Sequence, residues 1–194
     1  MGITNYIKYK VYLKGAYYHI FNRGNDKRDI FLDNSDFQFY LRRLITCLSK
    51  FEFSLICYCL MPNHVHLLLQ QNSEVPSSKL MSSLHTSYSM YFNMKYKHIG
   101  HVFESRFKQK LIESDEYLIH LSRYIHLNPV EAGLVKKPET YKWSSYNNYL
   151  VNEEGLIDNS IIMNFFKDKN DYQKFVEAQL NKYDWQEIRN VVIE

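Results

Sequence analysis

The chain has 194 residues, 45% of them hydrophobic, with only 6 Gly and 4 Pro, which excludes a disordered protein and fits one domain with an appendage. The formal net charge of +3 hides an asymmetry: residues 150–194 hold nine Asp/Glu and five Lys/Arg, a net of −4, so residues 1–149 form a basic body of +7 suited to a polyanionic partner. No apolar run is long enough to span a membrane and no signal peptide is legible; the odd number of cysteines, Cys47, Cys57 and Cys59, all in apolar stretches, excludes a disulfide scaffold and fits reduced thiols in the cytoplasm.

In chain order, Tyr17-Tyr18-His19-Ile20-Phe21-Asn22-Arg23-Gly24 reads as a strand ending at a turn. Asn34 or Ser35 is placed to cap a helix running to about residue 50, with Phe37, Leu41, Leu44, Ile45 and Leu48 on its apolar side. A second strand over 53–60 meets the corner Met61-Pro62-Asn63, and a strand over 64–70 returns from it, which makes a hairpin. Cys57 and Cys59 share a face of the outgoing strand, but without a second Cys pair they do not make a zinc knuckle. Ser77 or Ser78 caps a second helix with Leu80, Met81, Leu84, Tyr88, Tyr91 and Phe92 at helical spacing, and Gly100 ends the connection after it. Residues 102–112 read as a fourth strand. Ser114 caps a third helix, which is expected to stop near Asn128 because Pro129 disfavours helical geometry in the residue before it. An irregular wrap over 129–149 contains Trp143-Ser144-Ser145-Tyr146, and a short helix is expected over 171–183.

The order β-α-β-β-α-β predicts an α+β protein with a ferredoxin-like antiparallel sheet, two helices on one face, and an added helix. Residues 1–149 form the chemical domain and residues 150–194 an acidic, partly helical extension.

The chemistry centres on Met61-Pro62-Asn63-His64-Val65-His66-Leu67-Leu68-Leu69. Strand side chains alternate, so His64 and His66 share a face while Val65 and Leu67 point away. Two neighbouring imidazoles suit a divalent metal with open positions for water or a substrate oxygen. The alternative is a packed pair with satisfied ring nitrogens. On the third helix, Tyr124 and Asn128 are four residues apart and share a face. A phenol is a competent nucleophile when its anion is stabilised and its target polarised. The Asn128 amide oxygen is a candidate third ligand, giving a site suited to Mg²⁺ or Mn²⁺; the alternative is a helix C-cap before Pro129, which is compatible with metal contact. Tyr117, two turns earlier, is a rival nucleophile, but Leu121 stands where Tyr124 has Asn128. With 17 tyrosines in the chain, a core role for Tyr124 is the alternative. His120 and His126 read as structural or surface residues, His19 takes a sheet position that the pattern does not place, and Trp143 and Tyr146 read as packing.

Arg106, Lys108 and Lys110 alternate in the fourth strand and would line one face, where they could follow a phosphate backbone. Arg23, Lys27 and Arg28 form a second basic cluster at the end of the first strand. A merely solvated surface explains either cluster as well.

The segment Tyr58-Cys59-Leu60-Met61-Pro62-Asn63-His64-Val65-His66-Leu67-Leu68-Leu69 resembles the His-hydrophobe-His motif of the single-tyrosine HUH transposases, in particular the REP-associated tyrosine transposases. Tyr18-His19-Ile20-Phe21-Asn22-Arg23-Gly24, Phe103-Glu104-Ser105-Arg106-Phe107, Arg123-Tyr124-Ile125-His126-Leu127-Asn128-Pro129-Val130 and Trp143-Ser144-Ser145-Tyr146 match further pieces in the family's order, over about residues 15–149. The resemblance implies a divalent cation, Mg²⁺ or Mn²⁺, held by His64, His66 and Asn128, and attack by Tyr124 on a phosphate of single-stranded DNA flanked by hairpins. A 5′-phosphotyrosine link and a free 3′-OH result, and another 3′-OH reverses the step without any organic cofactor. A DNA guide sequence near the hairpin is expected to help place the cleavage point. The resemblance also implies a bacterial cytoplasmic protein associated with the nucleoid, with no membrane partner, acting as a monomer or homodimer. The chain departs from the family at Glu131, where a basic residue often follows Pro-Val; this bears on DNA affinity rather than on the chemical centre. Two other readings use the same fold: a module that grips hairpin DNA or RNA without cutting, and a phosphodiesterase with water as nucleophile.

Overall fold

The computed structural model describes residues 13–151 and 155–178. Four strands form one sheet: β1 (Tyr17–Arg23), β2 (Phe53–Met61), β3 (His64–Gln71) and β4 (Lys108–Ile112), in the order β2-β3-β1-β4 with every neighbouring pair antiparallel. This is the expected ferredoxin-like arrangement, in which the first and third strands lie side by side at the centre. The central strands are buried almost throughout, as strands covered on both faces must be.

Helices α1 (Asn34–Phe51) and α2 (Ser77–Tyr96) pack against each other. The cap of α1 is Asp33 rather than Asn34 or Ser35. Its carboxylate accepts from the Ser35 and Asp36 N–H groups, and Asp36 reciprocates in a capping box. Asp36 is buried yet ionised, because Lys95 and Tyr96 from α2 donate to its carboxylate at 2.7 and 2.8 Å. The start of α1 is thus pinned to the end of α2. Ile45, expected on the apolar side of α1, is exposed, and the buried positions go to Tyr40 and Cys47 instead. Pro76, not a serine, precedes α2, an arrangement available because a helix start leaves its first N–H groups unpaired anyway. The fourth strand is shorter than expected: residues 102–107 are irregular, with Phe103 making an isolated bridge to Gly24, and only Lys108–Ile112 pairs with β1.

The third helix, α3 (Asp115–Glu131), is capped by Ser114 as expected, but it does not stop at Asn128. Pro129 lies inside it, about one turn before the C-cap at Ala132. A proline this close to the end forgoes a single helical hydrogen bond, and the helix re-forms past it with Ala132 N–H donating to the Asn128 carbonyl at 2.9 Å. α3 packs along β2, and the wrap after it runs back to the same edge, where Leu60 N–H donates to the Trp143 carbonyl and Ser145 N–H to the Tyr58 carbonyl. Trp143 stacks on Phe37 at 4.5 Å between ring centroids, so it is packing, as read. After α4 (Tyr146–Leu150) come α5 (Ser160–Met163) and α6 (Lys169–Glu177). The expected helix over 171–183 therefore starts two residues earlier, and its part beyond 178 lies outside the described residues. Ile162, Tyr172 and Val176 are fully buried in the same core as the sheet, so this part of the acidic extension packs on the body.

Gly24 sits where β1, the His hairpin and the irregular segment meet. Its N–H donates to the Asn63 carbonyl at 2.8 Å, and a Cβ there would lie 2.2 Å from the Arg28 carbonyl oxygen. Its φ of −63° is ordinary, so the requirement is for space and not for backbone freedom. Gly24→Ala is expected to cost on the order of 2–3 kcal/mol. Urea unfolding at unchanged m-value checks this, and a midpoint equal to wild type would mean that the loop shifts freely.

Candidate active site

The register of the sheet builds the site. Arg23 lies opposite His64, Phe21 opposite His66, and Lys108 opposite Phe21, so these side chains emerge on one face. β2 adds Met61 beside His64 and Cys59 beside His66. Tyr124 and Asn128, one turn apart on α3, complete a cavity of about 500 Å³ whose wall includes Phe21, Arg23, His64, His66 and Lys108. The His66 and Tyr124 rings meet edge to face at 5.6 Å between centroids, and those of His64 and His66 at 5.0 Å. The four residues singled out for chemistry are therefore brought together.

The hydrogen bonds assign ring atoms. Asn63 donates its amide Nδ2 to the Lys27 carbonyl at 3.2 Å, which turns Oδ1 toward His64 Nδ1 at 2.6 Å. His64 Nδ1 therefore carries the hydrogen, and Nε2 keeps a lone pair. His66 Nδ1 lies 3.0 Å from His19 Nε2, which leaves Nε2 as its second nitrogen. Asn128 donates Nδ2 to the Tyr124 carbonyl at 2.8 Å, so its Oδ1 remains for His64, whose protonated form it favours. Two imidazole Nε2 atoms and an amide oxygen thus face the cavity, a set that a cation satisfies when both rings carry their hydrogen on Nδ1. Among the described residues no cluster of three or more His, Cys, Asp or Glu side chains could hold a metal, and beside the two imidazoles the Asn128 oxygen is the candidate third donor. The helix-cap alternative for Asn128 falls, because α3 continues to Glu131.

Tyr117 does not line this cavity. Burial pushes its phenol up to about 12, and Lys110 lies over its ring at 5.6 Å. Of the basic residues, Arg23 and Lys108 line the cavity, with the Lys108 ammonium 6.0 Å from the Phe21 ring centroid. Lys110 shares their face of the sheet. Arg106 does not alternate with them in a strand, since it precedes β4 in an exposed bend. Arg28 is turned to His98, Asp26 and the Asn25 carbonyl, and Lys27 is exposed on the turn after β1, outside the cavity lining. Sequence reasoning missed Glu104 and Ser105 as lining residues and left His19 unplaced. Glu104 and Glu131 set two carboxylates against Arg23 and Lys108, so this cavity is mixed in charge rather than uniformly positive.

His126, between Tyr124 and Asn128 on α3, is structural, as read. It is fully buried and bonds Tyr172 Oη at 2.7 Å through Nδ1 and Ser145 Oγ at 2.8 Å through Nε2. It ties α3 to α6 and to the wrap. The buried imidazoles also predict an acid response. Burial lowers His19, His85 and His126 from 6.5 to about 3 and His64 to about 4. Each is neutral when folded but gains a proton when unfolded below about 6.5, so stability is full above that pH and falls as pH drops. Each such group contributes a slope of about 1.4 kcal/mol per pH unit inside its window. The thermal midpoint is expected to fall steadily from pH 6.5 to 4.5, and a flat profile over that range would contradict it.

The site and sheet define a class: a ferredoxin-like domain that sets a His-x-His strand against a helix-borne tyrosine. The family model described as "Transposase IS200 like" matches residues 12–128, and the chain belongs to this family of IS200-like transposases. A curated relative from Haemophilus influenzae, named as a REP-associated tyrosine transposase, is 29% identical over 114 residues, which cover 53% of this chain and 63% of the relative. The chain thus spans somewhat less than two thirds of that relative's length. A solved structure titled as a REP-associated tyrosine transposase bound to a REP hairpin shares the fold, with a TM-score of 0.63 and 18% identity over 77% of this chain and 87% of that one. Among the described residues no helix is long and apolar enough to cross a membrane.

Proposed function

We propose that the chain is a metal-dependent strand transferase acting on single-stranded DNA next to hairpins. The observation that carries this reading is the placement of Tyr124 on His66, in one cavity with His64 and Asn128. Membership of a transposase family supports DNA as substrate, and the hairpin bound to the fold neighbour supports a hairpin beside the cleavage point.

His64 Nε2, His66 Nε2 and Asn128 Oδ1 would hold Mg²⁺ or Mn²⁺, which supplies Lewis-acid polarisation of a phosphate. The Tyr124 oxygen attacks phosphorus, the P–O3′ bond breaks, and a 5′-phosphotyrosine forms. The phenol gives up its proton and the departing 3′ oxygen takes one up, so no net proton is consumed. The new ester keeps the phosphodiester energy, and a second 3′-OH can reverse the step without a nucleotide cofactor. Arg23 and Lys108 hold the flanking phosphates, with Lys110 further along the same face; Arg106, Lys27 and Arg28 lie off this path and act at most on more distant DNA. One tyrosine per chain performs one cleavage, so exchange of two strands needs two turnovers of a monomer or two copies in a homodimer. Such a substrate places the protein in the cytoplasm at the nucleoid.

The test is incubation with labelled single-stranded hairpin DNA and Mn²⁺, followed by a denaturing gel. A slow protein–DNA adduct that a chelator prevents is expected. Hairpin binding with neither adduct nor cleavage, across a varied hairpin library, would turn the reading toward a non-cutting module.

A further inference from the structure

Behind His66, away from the cavity lining, lies a further buried imidazole with no part in the proposed ligand set. His19, on β1, is fully buried, and its Nε2 lies 3.0 Å from His66 Nδ1. The two rings are nearly parallel, 14° between planes and 5.2 Å between centroids. His19 is not among the residues lining the cavity, so it would not touch DNA or a cation held there. Its other nitrogen, Nδ1, is buried without a hydrogen-bond partner. The contact to His66 is thus the one side-chain hydrogen bond of this ring among the described residues.

The geometry points to His19 as the positioning residue of the metal site, a role that rests on the metal reading above. Two neutral ring nitrogens 3.0 Å apart must be one donor and one acceptor. A metal-ligating imidazole ordinarily donates its other N–H to an acceptor behind it, which fixes both the ligating atom and the ring orientation. His64 finds that acceptor in Asn63 Oδ1. His66 finds no carboxylate or amide behind it, only His19. With the cation bound, His66 Nδ1–H donates to His19 Nε2, and the hydrogen of His19 resides on Nδ1. The number of ring hydrogens on the pair is two before and after, so the arrangement needs no extra proton. The reverse arrangement, with His19 Nε2–H donating to His66, would leave the hydrogen of His66 on Nε2 and aim it at the cavity. His66 could not then ligate. Because His19 occupies Nδ1, only Nε2 can serve, and two neighbouring histidines on β3 both offer the same ring atom to one point.

The full-length protein is titrated with Mn²⁺ alone, free ion being read by electron paramagnetic resonance without DNA. His19→Leu, which removes the acceptor, is expected to weaken Mn²⁺ binding about 10–100-fold. His19→Gln, whose amide oxygen reaches the position of Nε2, is expected to restore binding to within about threefold of wild type, a rescue that a merely space-filling role for His19 would reserve for Leu. Histidine-selective ¹⁵N spectra of the Mg²⁺-saturated wild type are expected to show the His66 hydrogen on Nδ1, which keeps the inference testable if the Leu variant does not fold. Wild-type protein that binds no Mn²⁺ would sink the metal reading and this inference with it. Normal Mn²⁺ binding in His19→Leu, or a His66 hydrogen found on Nε2 in the Mg²⁺-saturated protein, would overturn the role of His19 and leave the metal reading standing.

Discussion

Tyr124→Phe is expected to abolish the protein–DNA adduct and to reduce strand cleavage by on the order of 10³-fold or more, the scale on which removal of a covalent nucleophile acts. The substitution deletes one oxygen. The ring stays wedged between α3 and His66, with Tyr124 only 3% exposed, and the Asn128 side chain still donates to the backbone carbonyl of residue 124. Any loss of stability is therefore on the order of 1 kcal/mol, the size of a single hydrogen bond. Hairpin affinity, measured by gel shift at fixed salt, should stay within about twofold, since phosphate contacts dominate affinity. Tyr117→Phe is the matched control. Tyr117 lies on the same helix but off the cavity, its phenol held up at about 12 by burial, and cleavage should survive its loss. If Tyr124→Phe still cut DNA at near the wild-type rate with no adduct in either protein, water would be the nucleophile and the strand-transfer reading would fall.

That His64 pairs with His66 and Tyr124 with Asn128 is legible in the sequence because each spacing is local. His64 and His66 need only the strand period to share a face, and Tyr124 and Asn128 only the helix period. What joins the two pairs is register, which is not local. His19 could not be placed because its meeting with His66 depends on β1 and β3 pairing Phe21 with His66 rather than a neighbour one residue away. The extent of the basic face escapes the sequence for the same reason. Alternation over 102–112 supposes a strand, but the stretch up to Phe107 is drawn out of the sheet, with Val102 and Phe103 buried and Phe103 bridged to Gly24, so Arg106 loses its place beside Lys108. The end of α3 is not legible because the steric cost of Pro129 is a local preference, whereas Leu127, Asn128 and Pro129 are buried in tertiary contacts that override it. Of the tail, Tyr172 and Val176 carry the information, since both are fully buried, and neither stands out in an acidic segment read by composition.

Loss of a proposed metal ligand should have a comparably large effect, and Asn128 is the most informative of the three. His64→Ala and His66→Ala should each weaken Mn²⁺ binding by at least the 10–100-fold (roughly) that loss of an outer-shell partner costs, and adduct formation should fall in parallel. Asn128 has two polar groups, and different variants separate a brace from a ligand. Its Nδ2 braces the Tyr124 carbonyl at 2.8 Å, while its Oδ1 is left for His64 and the cavity. Asn128→Ala removes both groups. Asn128→Asp removes the brace but keeps an oxygen and adds a negative charge, which a hard divalent ion favours. If Asn128 is a ligand, the Asp variant binds Mn²⁺ at least as tightly as wild type and the Ala variant about 10-fold or more weaker. If Asn128 acts only as a brace, the two variants bind Mn²⁺ alike. Because burial already holds His64 down to about 4 and His66 well below 6.5, neither ring must shed a proton near neutrality, and wild-type Mn²⁺ affinity should be nearly flat between pH 6 and 8. A steep rise in affinity across that interval would mean that the ion binds through some other group, and adduct formation in the presence of excess chelator would remove the metal from the mechanism altogether.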